Sequence, residues 1–259
     1  MQQLRLFFIA LQFFTRLPIP RWVGFEPGWL HQSSRYFPLV GCVVAAVAAA
    51  VYLLAALVLP APVAAVLSTA ASIYITGAFH EDGFADTCDG FGGGLNPERV
   101  LEIMKDSRVG AYGAIGIVCM LGAKCTTLAM LPPSSAIAAL FLAHPLSRLA
   151  AVSLIWRMDY ARAEGKAKPM AQQMRASEFA VAALTALLPA ALLLMLDAVS
   201  FAMLAASLLA AALAALWLAR LFQRRIGGYT GDCLGSVQQL AEVAIYLSVL
   251  ACLGQGALR

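Results

Sequence analysis

The chain has 259 residues, of which 61% are hydrophobic and 12% are charged, and its mean hydropathy is +0.80. Soluble domains average about 45–50% apolar and about 25% charged residues, so this composition excludes a disordered chain, a disulfide scaffold and an ordinary soluble globule. The net charge of +4 is too small to indicate nucleic-acid binding. Because no Asp, Glu, Lys, Arg or His occurs from Phe37 to Phe79, the sequence predicts an all-α, polytopic integral membrane helical bundle.

The predicted elements begin with a short interfacial helix over residues 4–14, whose apolar residues recur at helical spacing between Arg5 and Arg16. About seven transmembrane spans follow, although six or eight are also compatible with the sequence. They cover residues 36–59, 61–79, 109–131, 134–156, two spans within 179–218 that turn near Asp197, and 234–253. No soluble domain or fixed-period repeat is visible, so we assign residues 1–259 to a single transmembrane domain.

The basic residues predict the topology of the bundle. Fifteen of the eighteen Lys and Arg residues lie in the N-terminal region and in three longer polar segments, residues 80–108, 157–177 and 220–232. Cytoplasmic loops carry an excess of Lys and Arg. We therefore expect the N-terminus and all three polar segments, which contain the candidate site, to face the cytoplasm.

The first polar segment contains three carboxylates, Asp82, Asp86 and Asp89, at i, i+4 and i+7. On a helix they share one face and repel one another. They also follow a predicted span, where the helix dipole is negative, so we expect a cation to neutralise them. Oxygen ligands suit Mg²⁺ or Mn²⁺. The alternative is a solvated acidic loop, which this spacing disfavours, and a zinc H-E-x-x-H motif fails because Phe84 replaces the second His.

Other charged residues near or within the spans are further candidates. Asp106 and Arg108 lie where the chain enters the third span, whereas Glu98 and Glu102 suit a solvated helix face. Lys124 and Arg148 lie inside spans, where a cation is costly and is a functional candidate by default. Arg148 alternatively reaches the interface by snorkelling.

The third polar segment combines glycines with oxygen-bearing side chains. Gly231 lies between Thr230 and Asp232 just before the last span, and Glu242 lies inside that span. Glycine permits close approach of the backbone to a ligand. Carboxylates, a metal ion and Arg or Lys together are typical of phosphoryl transfer. The residues therefore favour a metal-dependent transferase that acts at the cytoplasmic face.

Residues 80–90 read H-E-D-G-F-A-D-T-C-D-G. This segment resembles the signature of a known family, the cobalamin synthases, or adenosylcobinamide-GDP ribazoletransferases, and the similarity extends over nearly the whole chain. Glu81 and the glycines at 92–94 depart from the family pattern, but neither departure touches the three aspartates. The other matching segments are T-R-L-P-I-P at 15–20, F-P-L-V-G at 37–41, M-K-D-S-R-V-G at 104–110, S-R at 147–148, Y-A-R at 160–162 and G-Y-T-G-D at 228–232.

The resemblance implies a Mg²⁺-dependent enzyme of the bacterial inner membrane that assembles the nucleotide loop of cobalamin. The implied donor is adenosylcobinamide-GDP, the acceptor is α-ribazole or its 5′-phosphate, and GMP leaves when the ribose 3′-hydroxyl attacks phosphorus. On this basis Asp82, Asp86 and Asp89 would hold Mg²⁺, and Asp89 or Asp232 would accept the hydroxyl proton. Arg108, Lys124 and Arg148 would contact phosphate charge, and the remaining substrate-binding candidates are Arg16, Asp106, Thr230 and Gly231.

Two other functions remain open from the residues. A CDP-alcohol phosphotransferase-like enzyme would share the chemistry, although its full D-x-x-D-G-x-x-A-R pattern is absent. An ion or solute transporter would use Lys124, Arg148 and Glu242 along its path, but no inverted repeat is visible. The expected partners are the small-molecule substrates and membrane lipid, with a homo-oligomer or an association with other cobalamin-assembly enzymes also open.

Overall fold

The computed structural model describes residues 1–161 and 174–257, and the predicted all-α fold is confirmed over those ranges. Residues 162–173, which include Arg162 and most of the second polar segment, lie outside the described residues. The described helices are α1 Gln2–Phe14, α2 Pro27–Ser33, α3 Phe37–Ala56, α4 Ala61–Thr76, α5 Phe79–Gly93, α6 Pro97–Ile103, α7 Ala111–Met130, α8 Pro133–Arg157, α9 Ala176–Met195, α10 Phe201–Ile226 and α11 Gly231–Ala257.

Six helices in the described ranges are long and apolar enough to cross a membrane, namely α3 and α7 to α11. The predicted second span differs from the structure. Helix α4 has 16 residues, or about 24 Å at 1.5 Å per residue, and the chain then bends by 91° into α5. Gly77 and Ala78 both adopt left-handed backbone conformations, which end α4 and start a new helix. A count of seven is reached only if α4 and α5 form one bent span.

Helices α8 and α11 occupy the centre of the bundle. Helix α8 packs against α3, α9, α10 and α11, and α11 packs in turn against α5, α7 and α10. Small residues allow close backbone approach where helices cross, as is common in membrane bundles. At the α3–α8 crossing, a Cβ atom on Gly41 would lie 2.9 Å from the Pro145 Cα atom. The core is therefore built on α8 and α11, and α5 lies across α11.

The three polar segments meet at one end of the bundle. Arg225 donates a hydrogen bond of 2.6 Å to the Gly94 carbonyl oxygen, which joins the third segment to the first. The Tyr229 amide donates to the Asp159 carbonyl, and the Ala161 amide donates to the Tyr229 carbonyl, at 3.0 and 2.8 Å. These bonds join the third segment to the second. The fold thus gathers segments that are far apart in the sequence around the start of α11.

Candidate active site

The acidic helix α5 carries Asp82, Asp86 and Asp89, as the spacing predicts. Burial increases along α5: the Asp82 side chain is exposed, Asp86 is half-buried and Asp89 is buried. The predicted position of Asp82 beyond the C-terminal end of a span was wrong. Asp82 lies in the first turn of α5, because the bend at Gly77 and Ala78 starts a separate helix there. The dipole of α5 therefore favours the Asp82 carboxylate, whereas the sequence placed it at the negative end of a span.

Asp89 caps the N-terminus of α7. Its two carboxylate oxygens accept hydrogen bonds from the backbone amides of Gly110 and Gly113, at 2.7 and 2.8 Å. The first amides of a helix lack intrahelical acceptors and lie at the positive end of the helix dipole. A carboxylate there accepts their hydrogen bonds and interacts favourably with the dipole. A Cβ on Gly113 would lie 3.0 Å from the Asp89 carboxyl carbon, so the close approach requires glycine. The metal-binding and base roles of Asp89 stay predictions beside this capping role.

Asp232 approaches α5 at the crossing of α5 and α11. A Cβ on Gly83, between Asp82 and Asp86 in the sequence, would lie 2.9 Å from the Asp232 Cα atom. The buried Thr230 hydroxyl donates a long hydrogen bond of 3.4 Å to the Asp232 carboxylate and accepts one of 3.3 Å from the Cys233 amide. The structure thereby brings the acidic residue of the third polar segment to the acidic helix of the first.

Within residues 1–161 and 174–257, no group of three or more His, Cys, Asp or Glu side chains is arranged to hold a metal ion by itself. Asp82 and Asp86 are one helical turn apart on α5 and Asp232 lies on the adjoining helix. Mg²⁺ is usually bound through one or two carboxylates, with water and phosphate oxygens completing its coordination shell. These residues suit that kind of site and not an all-protein cage.

Asp106 and Arg108 lie together beside an open cleft. The Arg108 guanidinium donates to both Asp106 carboxylate oxygens, with a shortest distance of 2.6 Å. These bonds, with a further one from the Arg108 backbone amide, lower the pKa of Asp106 from 3.8 to about 2. Both residues and Asp89 line the cleft, whose volume is about 640 Å³. Three candidates from different parts of the first polar segment therefore share one opening.

Arg16 lies at the bend between α4 and α5. Its backbone amide donates a 2.8 Å hydrogen bond to the Ile75 carbonyl oxygen, and its guanidinium lies over the Tyr74 ring, 5.3 Å from the centroid. A Cβ on Gly77 would lie 3.1 Å from the Arg16 Nε atom. The side chain is exposed. Arg16 therefore packs on the turn from which the acidic helix starts, and its predicted contact with substrate stays a prediction.

Lys124 forms a buried ion pair with Glu242 inside the bundle. The Lys124 Nζ atom lies 2.9 Å from Glu242 Oε1, and the two side chains are 2% and 3% exposed. The same carboxylate accepts hydrogen bonds from the Tyr246 hydroxyl at 3.1 Å and from the Gln238 amide at 2.6 Å. His144 Nδ1 lies 3.5 Å from Glu242 Oε2 without hydrogen-bond geometry. Lys124 is thus bonded within the bundle and not to the acidic helix.

Arg148 is buried as well, which rules out the snorkelling alternative. It is 3% exposed, and its guanidinium donates to the His144 carbonyl oxygen at 2.9 Å. A polar cavity of about 10 Å³ lies beside it, lined in part by Lys124, His144 and Glu242. Such an interior is the environment in which ordered water is found.

Three members of this polar cluster were missed by the sequence argument. Gln239 donates to the Glu81 carboxylate at 2.9 Å and to the Gln238 side-chain oxygen at 2.8 Å. Glu81, which departs from the family pattern, is therefore a buried hydrogen-bond partner of α11. The signal that could have found Gln238 and Gln239 is the presence of two amides, one turn before Glu242, in an otherwise apolar span.

Comparisons with known proteins show which sequences this chain is similar to. The family described as cobalamin-5-phosphate synthase matches residues 6–251. A protein of Leptothrix cholodnii named adenosylcobinamide-GDP ribazoletransferase is 50% identical over 252 residues, which cover 95% of this chain and 95% of that protein. Proteins of the same name from Ralstonia pickettii and Shewanella frigidimarina are 48% and 43% identical, over 93% and 97% of this chain and 93% and 96% of their own lengths. No solved structure matches the chain.

Proposed function

Because this chain belongs to the cobalamin-5-phosphate synthase family, we propose that it joins adenosylcobinamide-GDP to α-ribazole or α-ribazole 5′-phosphate. In this reaction the acceptor's ribose 3′-oxygen forms a bond to the phosphorus on the cobinamide side of the pyrophosphate. The bond from that phosphorus to GMP breaks, and GMP leaves with the electron pair. The observation that carries the proposal is the crossing of α5 and α11, which brings Asp232 to the helix of Asp82 and Asp86.

We propose that Mg²⁺ is held by Asp82 and Asp86, with Asp232 beside them. When bound, the ion would neutralise charge on the pyrophosphate, which is the main electrostatic need of phosphoryl transfer. Asp82 is exposed and Asp86 half-buried, so phosphate oxygens and water can reach both side chains. This arrangement supports a smaller ligand set than the three aspartates of the sequence motif, since Asp89 is already bonded to the α7 amides.

Asp232 is assigned as the base that accepts the proton of the acceptor hydroxyl. Both Asp89 oxygens accept backbone amides, which makes Asp89 the weaker of the two candidates for the base. Thr230 and Gly231 immediately precede Asp232 at the α11 N-terminus, where the positive end of the helix dipole favours an anionic group. Thr230 and Gly231 are therefore assigned to substrate binding beside the reacting phosphate.

The basic candidates divide into two groups by their surroundings. Arg108 is 86% exposed at the cleft that Asp89 also lines, so we assign it to contact with the negatively charged phosphate groups of the substrate. Asp106 is assigned to orienting the Arg108 side chain. Lys124 is assigned a positioning role because its ammonium group is buried against Glu242. The active end of the bundle is assigned to the cytoplasmic side of the bacterial inner membrane, in agreement with the excess of Lys and Arg at that end.

The test measures GMP release by the purified protein in detergent, with adenosylcobinamide-GDP, α-ribazole 5′-phosphate and Mg²⁺. Asp82→Asn, Asp86→Asn and Asp232→Asn should each lower kcat by about 10²–10³, by comparison with the loss of one electrostatic contact in other enzymes. Glu98→Gln, an exposed carboxylate outside the site, is the matched control and should retain full activity.

Other outcomes identify the alternatives. No GMP above a protein-free control would contradict the proposal and favour a transporter. CMP release from a CDP-linked donor would instead favour a CDP-alcohol phosphotransferase. Full Mg²⁺-dependent activity in Asp82→Asn would refute the assignment of Asp82 to the metal.

A further inference from the structure

The open cleft beside Asp106 and Arg108 is large enough for a nucleotide. Its volume of about 640 Å³ falls within the range of about 300–1,000 Å³ that is typical of small-molecule sites. One wall is the part of α6 that carries Arg99 and Glu102, and another is the N-terminus of α7 with Tyr112. The roles proposed for Asp106 and Arg108 use only part of this cleft.

Tyr112 presents an aromatic ring to the cleft. The residue is 58% exposed, although its ring lies against the end of α5. A Cβ on Gly92 would lie 2.5 Å from the Tyr112 Cγ atom and 2.8 Å from both Cδ atoms, so only glycine leaves room for the ring there. The ring is thereby supported on one side and accessible on the rest. Stacking of a nucleobase on such a ring is a strong contact in nucleic-acid-binding proteins.

Glu102 supplies a carboxylate to the same cleft, where the sequence suggested only a solvated helix face. Its ion pair with Arg99, at 2.6 Å, is formed by two exposed side chains. Exposed ion pairs contribute little to stability, so a ligand can replace Arg99 as the partner of Glu102 at low cost. Arg108 is exposed as well. The cleft therefore offers a hydrogen-bond acceptor and a cation beside an aromatic ring.

The cleft is continuous with the carboxylates assigned to the reaction. Asp89 lies in its wall and follows Asp86 on α5, about 4.5 Å further along the axis at 1.5 Å per residue. The leaving GMP is joined through its phosphate to the phosphorus that reacts at the crossing of α5 and α11. A donor held at that crossing can therefore extend along α5 and place its base in the cleft.

Among the substrates of the proposed reaction, guanine matches this combination of groups. It is a flat ring whose N1–H and exocyclic amine donate along one edge, and a glutamate carboxylate can accept both bonds. The benzimidazole of the acceptor is also flat, but it has no N–H to donate to Glu102. The corrin macrocycle is much larger than a base, and its rim carries amide side chains. Guanine is thus the ring that uses both Tyr112 and Glu102.

We infer that the cleft binds the guanosine end of the donor, with guanine stacked on Tyr112 and hydrogen-bonded to Glu102. The adjoining phosphate then lies near Arg108, which is already assigned to phosphate contact. This inference rests on the proposed function and extends it to the recognition of the leaving group. It predicts that the cleft controls the binding of the donor and of free GDP, and that the binding of the acceptor does not depend on it.

The first test measures the equilibrium binding of GDP to the full-length protein in detergent with Mg²⁺, by isothermal titration calorimetry. Tyr112→Leu removes the stacking surface and should raise the Kd for GDP by about tenfold. Phe201→Leu is the matched control and should leave the Kd unchanged, because Phe201 is exposed at the start of α10, outside the cleft. An unchanged Kd in Tyr112→Leu would overturn the inference.

The second test uses inosine diphosphate, which lacks the exocyclic amine of guanine. The wild-type protein should bind it about tenfold more weakly than GDP, because one hydrogen bond to the Glu102 carboxylate is lost. In Glu102→Ala the two nucleotides should bind equally well. Glu98→Ala, one turn earlier on α6 and outside the cleft, is the matched control and should keep the preference for GDP. A preference that survives in Glu102→Ala would contradict the assignment of Glu102.

The kinetics separate the donor from the acceptor. In the GMP-release assay, Tyr112→Leu should raise the KM for adenosylcobinamide-GDP by about tenfold and leave the KM for α-ribazole 5′-phosphate unchanged. A rise in the acceptor KM alone would show that the cleft binds the acceptor, and would refute the inference.

Failure of this inference is distinguishable from failure of the proposed function, because GDP binding does not require turnover. If the protein releases GMP but its GDP binding does not depend on Tyr112 and Glu102, only the assignment of the cleft is wrong. If it binds GDP through both residues but releases no GMP from adenosylcobinamide-GDP, the proposed reaction is wrong and the guanine site stands.

Discussion

Removing one member of the Lys124–Glu242 pair should destabilise the bundle far more than removing both. The pair joins α7 to α11 at 2.9 Å and is almost fully buried. Lys124→Met would remove the ammonium group that is paired with the Glu242 carboxylate, which keeps the Tyr246 and Gln238 donors. Glu242→Gln would leave the Lys124 ammonium group without a counter-charge, in an interior where charge is costly.

The expected size follows from measurements on buried pairs in other proteins. Breaking such a pair from one side costs about 3–5 kcal/mol, because it leaves an uncompensated buried charge. At about 2–4 °C per kcal/mol for a chain of this size, each single variant should unfold about 6–20 °C lower. The double variant, Lys124→Met with Glu242→Gln, removes both charges of the pair together and should lose less stability than either single variant.

The assay is thermal unfolding of the purified variants in one detergent, with all four proteins of the double-mutant cycle measured together. Lys105→Met is the matched control, because Lys105 is exposed, and it should change stability by no more than about 0.5 kcal/mol. If the double variant lost as much stability as the two single variants added together, the residues would be uncoupled and the reasoning refuted.

Three further predictions concern the residues around the candidate site. Asp89→Ala should lower stability by about 1–3 kcal/mol, because it leaves the Gly110 and Gly113 amides without acceptors; an unchanged unfolding midpoint would contradict the capping role. Gly83→Ala should reduce GMP release by more than about tenfold, because the added Cβ separates α5 from α11. Gly122→Ala is the control and should not reduce it, because its added Cβ meets nothing within 4 Å. Equal activity of the two variants would argue against the α5–α11 crossing as the active site. The low pKa of Asp106, about 2 against an ordinary 3.8, means that its stabilising contribution is complete above pH 3.8 and is lost as the pH falls through about 2. Asp106→Asn should therefore alter the pH dependence of unfolding only below about pH 4, and a change in its slope between pH 5 and 8 would contradict this assignment.

The helices were predictable because their signals are local. Long apolar runs predicted α3 over 36–59 and α7 over 109–131, and the structure has Phe37–Ala56 and Ala111–Met130. The scarcity of charge also made the charged residues stand out one by one, so Asp82, Asp106 and Asp232 were candidates from the sequence alone. That reasoning needed only composition and spacing along the chain.

The bend between α4 and α5 was not predictable in the same way. It depends on two consecutive residues with positive φ, and the second of them is Ala78, which gives no local signal for such a conformation. The result is that the acidic helix crosses α11 and does not continue a span. This single change of direction decides which residues Asp82 and Asp86 meet.

The class of fold, the helical elements and a short set of charged candidates could be predicted from the order of residues along the chain. The partners of those candidates depend on helix packing: Asp89 with the α7 amides, Lys124 with Glu242, and Asp232 with α5. Helix formation depends on neighbours within a turn or two. Pairing depends on which helices cross and where small residues let them approach, and those contacts join residues that are distant along the chain.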